Sequence, residues 1–130
     1  MAGPETPKLM VDVVIPSEAG VVLIRRGSAP FEGQWALPGG FVEVGETVHE
    51  AAVREAAEET GLAVDVSRLV GVYSEPDRDP RGHNVSAAFL ARVLGGQMQA
   101  ASDASAVDVL DPATVELAFD HARIIADAMM

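Results

Sequence analysis

Apolar residues along this chain recur in two rhythms. Short, largely apolar runs stand at 10–15 (MVDVVI), 21–25 (VVLIR), 69–73 (LVGVY), 85–92 (VSAAFLAR) and 106–110. Turn-forming segments bound them, so each predicts a strand. Residues 17–20 (SEAG) form the expected turn of a first hairpin, 27–35 a glycine- and proline-rich loop, and Gly95-Gly96 a further turn. Leu37 runs through Pro38-Gly39-Gly40 into Phe41-Val42, which predicts a third strand before a different kind of segment begins. Residues 48–60 contain alanine, glutamate and arginine, with no glycine or proline inside. Thr47 followed by Glu50 is a capping-box pattern, and Gly61 stands where a left-handed cap would end the helix. On that helix Glu55, Glu58 and Glu59 fall within an arc of about 100°. Val53, Ala56 and Thr60 lie on another face suited to a sheet, and Ala52, Ala56 and Ala57 permit close backbone approach. Asp120 is the expected cap of a last helix over 121–130. The order β-β-β-α-β-β-β-α predicts an α/β fold, a mixed sheet packed between helices. Neither repeat nor linker interrupts it, so residues 1–130 read as a single domain.

Composition narrows the class. A chain of 130 residues with 48% hydrophobic content has room for one core. Having no cysteine, it forms neither a disulfide nor a thiolate metal site. The first ten residues lack a basic region followed by a long apolar run, and no apolar stretch approaches the roughly 18 residues of a membrane span. A soluble, cytoplasmic enzyme is the expectation. The net charge of −11, with Lys8 the single lysine, repels nucleic acid and anionic membranes. It repels small anionic ligands as well, which would need bound cations and some of the arginines.

The stretch from Gly40 to Leu62, GFVEVGETVHEAAVREAAEETGL, carries the chemistry. Its carboxylates repel one another unless a cation lies among them, so the spacing suits a divalent metal. A solvated acidic face with i,i+4 pairing, Arg54 to Glu58 included, accounts for Glu50 but not for the flanking glycines. The stretch resembles the Nudix box: glycine, five residues, Glu46, seven residues, then Arg54-Glu55-Ala56-Ala57-Glu58-Glu59-Thr60-Gly61-Leu62. That resemblance implies an α/β/α Nudix sandwich and Mg²⁺-dependent hydrolysis of a nucleoside diphosphate linked to another moiety, with Mn²⁺ as a substitute. It implies Glu55, Glu58, Glu59 and the backbone carbonyl of Gly39 as metal ligands. Arg54 and Glu46 would form an ion pair that orients a ligand carboxylate, or simply closes loop on helix. The general base is left open between a box glutamate and Asp103, which also reads as a turn aspartate. Relatives often carry a glutamate near the last strand where this chain has Ala106.

Segments outside the box bear on the substrate. Residues 73–86 (YSEPDRDPRGHNVS), 117–121 (LAFDH) and 35–43 (WALPGGFVE) are similar to segments of the small ADP-ribose pyrophosphatase branch of the Nudix family. The resemblance implies cleavage of ADP-ribose to AMP and ribose 5-phosphate, and a homodimer. The alternatives are a (deoxy)nucleoside triphosphate pyrophosphohydrolase, which would release pyrophosphate, and a non-catalytic Nudix-fold nucleotide sensor. Arg25, Arg78 and Arg81 are the candidate substrate contacts, although one of Arg25 and the adjoining Arg26 is expected to be solvated and the 75–84 loop also reads as a solvated hairpin. His83 reads as structural, and Trp35 and Phe119 as either stacking or core residues.

Overall fold

Successive side chains of a strand point to opposite faces, and here both faces of the central strands are apolar, so both are covered. The computed structural model describes residues 3–130. In it β1 (Lys8–Val14) lies parallel to β7 (Asn84–Gly96), with β5 (Gly39–Phe41) antiparallel on its other edge. β6 (Leu62–Tyr73) pairs antiparallel with β7 and completes the sheet order β5-β1-β7-β6. Val11, Val13, Ala87, Phe89 and Ala91 face α1 (Val48–Thr60) and its Ala51, Ala52 and Ala56. Their neighbours Val14 and Ala88 face the other way, against Ile124, Ile125 and Ala128 of α2 (His121–Ala128). The result is the expected α/β/α sandwich, in which each large buried side chain contributes about 1.5–3 kcal/mol.

The sheet is not single. β3 (Gly20–Arg26) joins the short strands β2 (Pro16–Ser17) and β4 (Trp35–Ala36) on one edge and β8 (Ala104–Leu110) on the other, forming a second, antiparallel sheet. Trp35-Ala36 and Gly39–Phe41 therefore belong to different sheets, and Leu37-Pro38 carries the chain between them. No described helix is long and apolar enough to cross a membrane.

The ends of α1 are as the local signals require. Thr47 Oγ1 accepts the Glu50 N–H at 3.1 Å, Glu50 Oε1 accepts the Thr47 N–H at 3.0 Å, and Gly61 closes the helix at φ 79°. Its buried face differs from the expected one. Val53 is 41% exposed, and contact is made by Ala51, Ala52, Glu55, Ala56 and Thr60. β6 begins directly after the cap, where Leu62 and Val64 are buried between exposed Ala63 and Asp65. Gly95 and Gly96 are not a turn but the end of β7, paired with Ala63 and Leu62. Asp120 sits at the start of α2, yet its carboxylate makes no cap bond; it is held by Arg78 instead.

Candidate active site

β5 and α1 meet at the box. A Cβ on Gly40 would sit 2.6 Å from Cδ of Glu55, so only glycine lets that carboxylate lie against the backbone. Gly39 is equally confined, since a Cβ there would come 2.7 Å from Asp12 Oδ1. Arg54 projects from the middle of α1 into the carboxylates. Its Nε donates to Glu46 Oε2 at 2.6 Å and its Nη2 to Glu46 Oε1 at 2.9 Å, a two-pronged contact that closes the loop on the helix. Nη1 donates to Glu55 Oε1 at 2.8 Å and to Glu58 Oε2 at 3.1 Å, and Nη2 also donates to the Phe41 carbonyl at 3.0 Å.

Glu55, Glu58, Glu59, Gly39 and Asp103 line one hollow of about 440 Å³. Burial pushes the Glu55 carboxyl above its ordinary range, only partly offset by Arg54. Glu59 is raised to about 7 by burial first and then by the charges of Asp103 and Glu55. Both groups hold protons more readily because burial disfavours their charged form, and the crowded negative charge adds to it. The available donors are carboxylate and carbonyl oxygens, the set that a hard divalent cation such as Mg²⁺ takes. Among the described residues no three His, Cys, Asp or Glu side chains are already gathered as a metal cluster. Arg54 stands among them as the resident cation.

Gly39, Gly40, Phe41, Glu59 and Asp103 also line an adjoining cleft of about 270 Å³. Arg25 was expected there, but Arg26 lines it. Strand alternation is the reason: Ile24 and Arg26 share the cleft face, whereas Arg25 points away and donates from Nε to the Gly33 carbonyl at 3.0 Å. Arg81 also lines the cleft, anchored by Asp79 at 2.7 Å. Both guanidinium groups lie over the Phe119 ring, 5.1 Å and 5.4 Å from its centroid. Phe119 and its edge-on neighbour Phe31, 4.8 Å away, both have positive φ, 54° and 61°. Such strain persists where packing over-determines it, frequently beside a functional cleft. Trp35 is half-buried and packs into the α2-side core instead.

Arg78 reaches the cleft wall but turns inward. Its Nε and Nη2 bind Asp120 at 2.9 Å and 2.6 Å, and Nη1 donates to the Asn84 carbonyl at 3.3 Å. It lines the cleft, but with a side chain only 4% exposed it acts as a brace for the 75–84 loop. His83 Nε2 lies 3.0 Å from the Ser74 carbonyl, bridging the ends of that loop.

A buried polar network that no sequence motif announces lies behind the cleft. Asp12 accepts the Ser86 hydroxyl at 2.6 Å and lies 3.3 Å from His121 Nε2 and 3.7 Å from Arg78 Nη2. His121 Nδ1 in turn accepts the Leu37 N–H at 3.0 Å. One acidic residue inside MVDVVI, and the histidine of LAFDH, were the available signals.

A NUDIX domain family model matches residues 6–128. An ADP-ribose pyrophosphatase of Methanocaldococcus jannaschii is 52% identical over 124 residues, 95% of this chain and 73% of that protein. A MutT/nudix family protein of Enterococcus faecalis superposes with a TM-score of 0.86 at 32% identity, covering 98% of this chain and 62% of its own. The NUDIX domain of Shewanella oneidensis NrtR, complexed with ADP ribose, superposes with a TM-score of 0.82 at 28% identity, covering 96% of this chain and 88% of that one.

Proposed function

This chain belongs to the Nudix family, and we propose that it is a Mg²⁺-dependent pyrophosphohydrolase that cleaves ADP-ribose to AMP and ribose 5-phosphate. The observation that carries the reading is that the carboxylate hollow and the arginine-lined cleft adjoin, sharing Gly39, Gly40, Phe41, Glu59 and Asp103 as walls. A phosphoanhydride is cut by in-line attack of water, with negative charge spreading over the phosphoryl oxygens. Those two needs, charge neutralisation and an activated water, are met on adjoining walls.

Glu55, Glu58, Glu59 and the Gly39 carbonyl would hold the ion, for which Mn²⁺ is a substitute. When bound, it supplies positive charge at the phosphates and lowers the pKa of a bound water. The remaining steps fall to the chain itself. Arg26 and Arg81 enter the cleft from different elements and are the donors for the pyrophosphate oxygens. Arg54, fixed by Glu46, sets the orientation of the Glu55 and Glu58 carboxylates. Asp103 faces Glu59 from the other wall and lines both the hollow and the cleft. It is the carboxylate assigned to accept the proton of the attacking water.

A substrate panel with product analysis tests this reading, using ADP-ribose, deoxynucleoside triphosphates, dinucleoside polyphosphates and NADH with either metal. AMP and ribose 5-phosphate should be the products that accumulate fastest. Survival of ADP-ribose while triphosphates release pyrophosphate would overturn the substrate assignment. ADP-ribose binding without turnover of any compound would make the chain a sensor.

A further inference from the structure

The cleft beside the box is too small for the whole of the proposed substrate. Sites that enclose small ligands run from about 300 to 1,000 Å³, whereas this cleft offers about 270 Å³. A diphosphate carrying a nucleoside on one side and a ribose on the other must therefore extend beyond it. The inference rests on the proposed function in that respect.

The continuation lies past Phe41 and Arg81. There the cleft adjoins a hollow of about 580 Å³, walled by Glu5, Lys8, His83 and Asn84. Its walls are tied together, because the Lys8 N–H donates to the His83 carbonyl at 3.2 Å and joins β1 to the 75–84 loop. Phe41 lines this hollow, the cleft and the carboxylate hollow alike. Its backbone is fixed by pairing with Met10 and by Arg54 on its carbonyl. Its ring is nevertheless 41% exposed.

An exposed aromatic ring on a rigid strand, at the junction of three hollows, is a stacking surface. Phe41 also has a cation over its ring, that of Lys8, but it is exposed, whereas the other aromatic candidates, Phe119 and Trp35, are half-buried. Arg26 and Arg81 lie over Phe119, and Trp35 is packed into the core. Charge singles out the same place. A chain of net charge −11 sets its single lysine 5.5 Å from the Phe41 ring, with Arg81 and His83 on the same walls.

We infer that this hollow is the subsite for the nucleobase half of the substrate. The purine stacks on Phe41, Lys8 flanks it, and its phosphate meets Arg81 at the boundary with the cleft. The ribose 5-phosphate half then occupies the smaller cleft, beside Arg26 and Asp103.

The test separates the two halves. AMP and ribose 5-phosphate are titrated calorimetrically, one at a time, into the full-length wild type and the variants Phe41→Ala, Phe41→Trp and Lys8→Met. Base stacking sets the expected loss of AMP affinity in Phe41→Ala at roughly ten- to a hundredfold. Ribose 5-phosphate affinity should stay within about twofold, because that half does not touch the ring. Phe41→Trp keeps a stacking face and should retain AMP, and Lys8→Met should weaken AMP several-fold. Wild-type AMP affinity in Phe41→Ala, an equal loss of ribose 5-phosphate, loss of AMP in Phe41→Trp, or no AMP binding to the wild type would each overturn the subsite. Because binding is read rather than turnover, a protein that lost AMP affinity as expected yet left ADP-ribose uncut would fail the substrate assignment alone.

Discussion

Leu37 presents its N–H to a histidine ring rather than to another strand. Since His121 Nδ1 accepts that proton, its Nε2 carries the hydrogen directed at Asp12, and the ring sits between two obligations. His121 is buried, as is Asp12, so truncation leaves an amide and a carboxylate each short of a partner. We expect His121→Ala to lose roughly 2–4 kcal/mol of unfolding free energy in urea, from an unsatisfied buried donor plus the vacated ring volume. Hydrogen exchange of the Leu37 amide should accelerate in parallel. An unchanged urea midpoint would show that the network is not a support. The roles of individual residues were unevenly readable in the sequence. Glu46 and Arg54 stood at a spacing that a helix and its entry loop bring together, and they are together. Asp12 was a lone polar position among apolar ones and His121 one of several polar residues at the start of a helix, and their partners come from strands and helices far along the chain. Arg25 and Arg26 could be told apart only once the phase of β3 was known.

The 75–84 loop is organised around Asp79, whose carboxylate receives Arg81 Nε and Nη2, the Arg81 N–H and Asn84 Nδ2. Burial pushes its pKa up, but those donors outweigh burial and hold it at about 2. A depressed carboxylate stabilises the fold at pH above its unfolded value, near 4, and that contribution disappears as pH falls toward 2. The shift corresponds to roughly 2 kcal/mol. Urea midpoints of the wild type should therefore fall more steeply than those of Asp79→Asn between about pH 5 and pH 2. Parallel curves would remove Asp79 as the source. This loop looked like solvated hairpin or phosphate contact in equal measure; the fold makes it a braced wall, with Arg81 alone of its arginines reaching the cleft in a half-exposed state. α1 was readable from end to end because its capping box and left-handed glycine act within a few residues. The start of β6 and the end of β7 were not, since Gly95 and Gly96 become strand only by pairing with Ala63 and Leu62.

The molecule as a whole concentrates negative charge on a surface already at −11, and the box is the densest part of it. A cation bound only by the native fold stabilises that fold by mass action. At about a hundredfold excess over its dissociation constant, Mg²⁺ should add close to 2.7 kcal/mol, an upward shift in Tm of roughly 10 °C for a domain of this size. EDTA should reverse the shift. Glu58→Gln should shrink it and lower kcat by at least about 10²-fold. Near-wild-type turnover in that variant would take Glu58 out of the site. The layered fold was visible in the alternation of strand and helix signals, but its division into two sheets was not, because strand partners are chosen by the whole chain. Gly39, Gly40 and Phe41 lie at the seam of that division. Gly39 lines the hollow as the proposed carbonyl ligand, Gly40 makes room for Glu55, and Phe41 is the proposed platform for the base. A strand slipped by one residue turns every side chain to the opposite face. A single insertion or deletion in these three positions would therefore uncouple cutting from choosing. Drift in substrate preference has to come through substitution here and through length changes only in the surrounding loops.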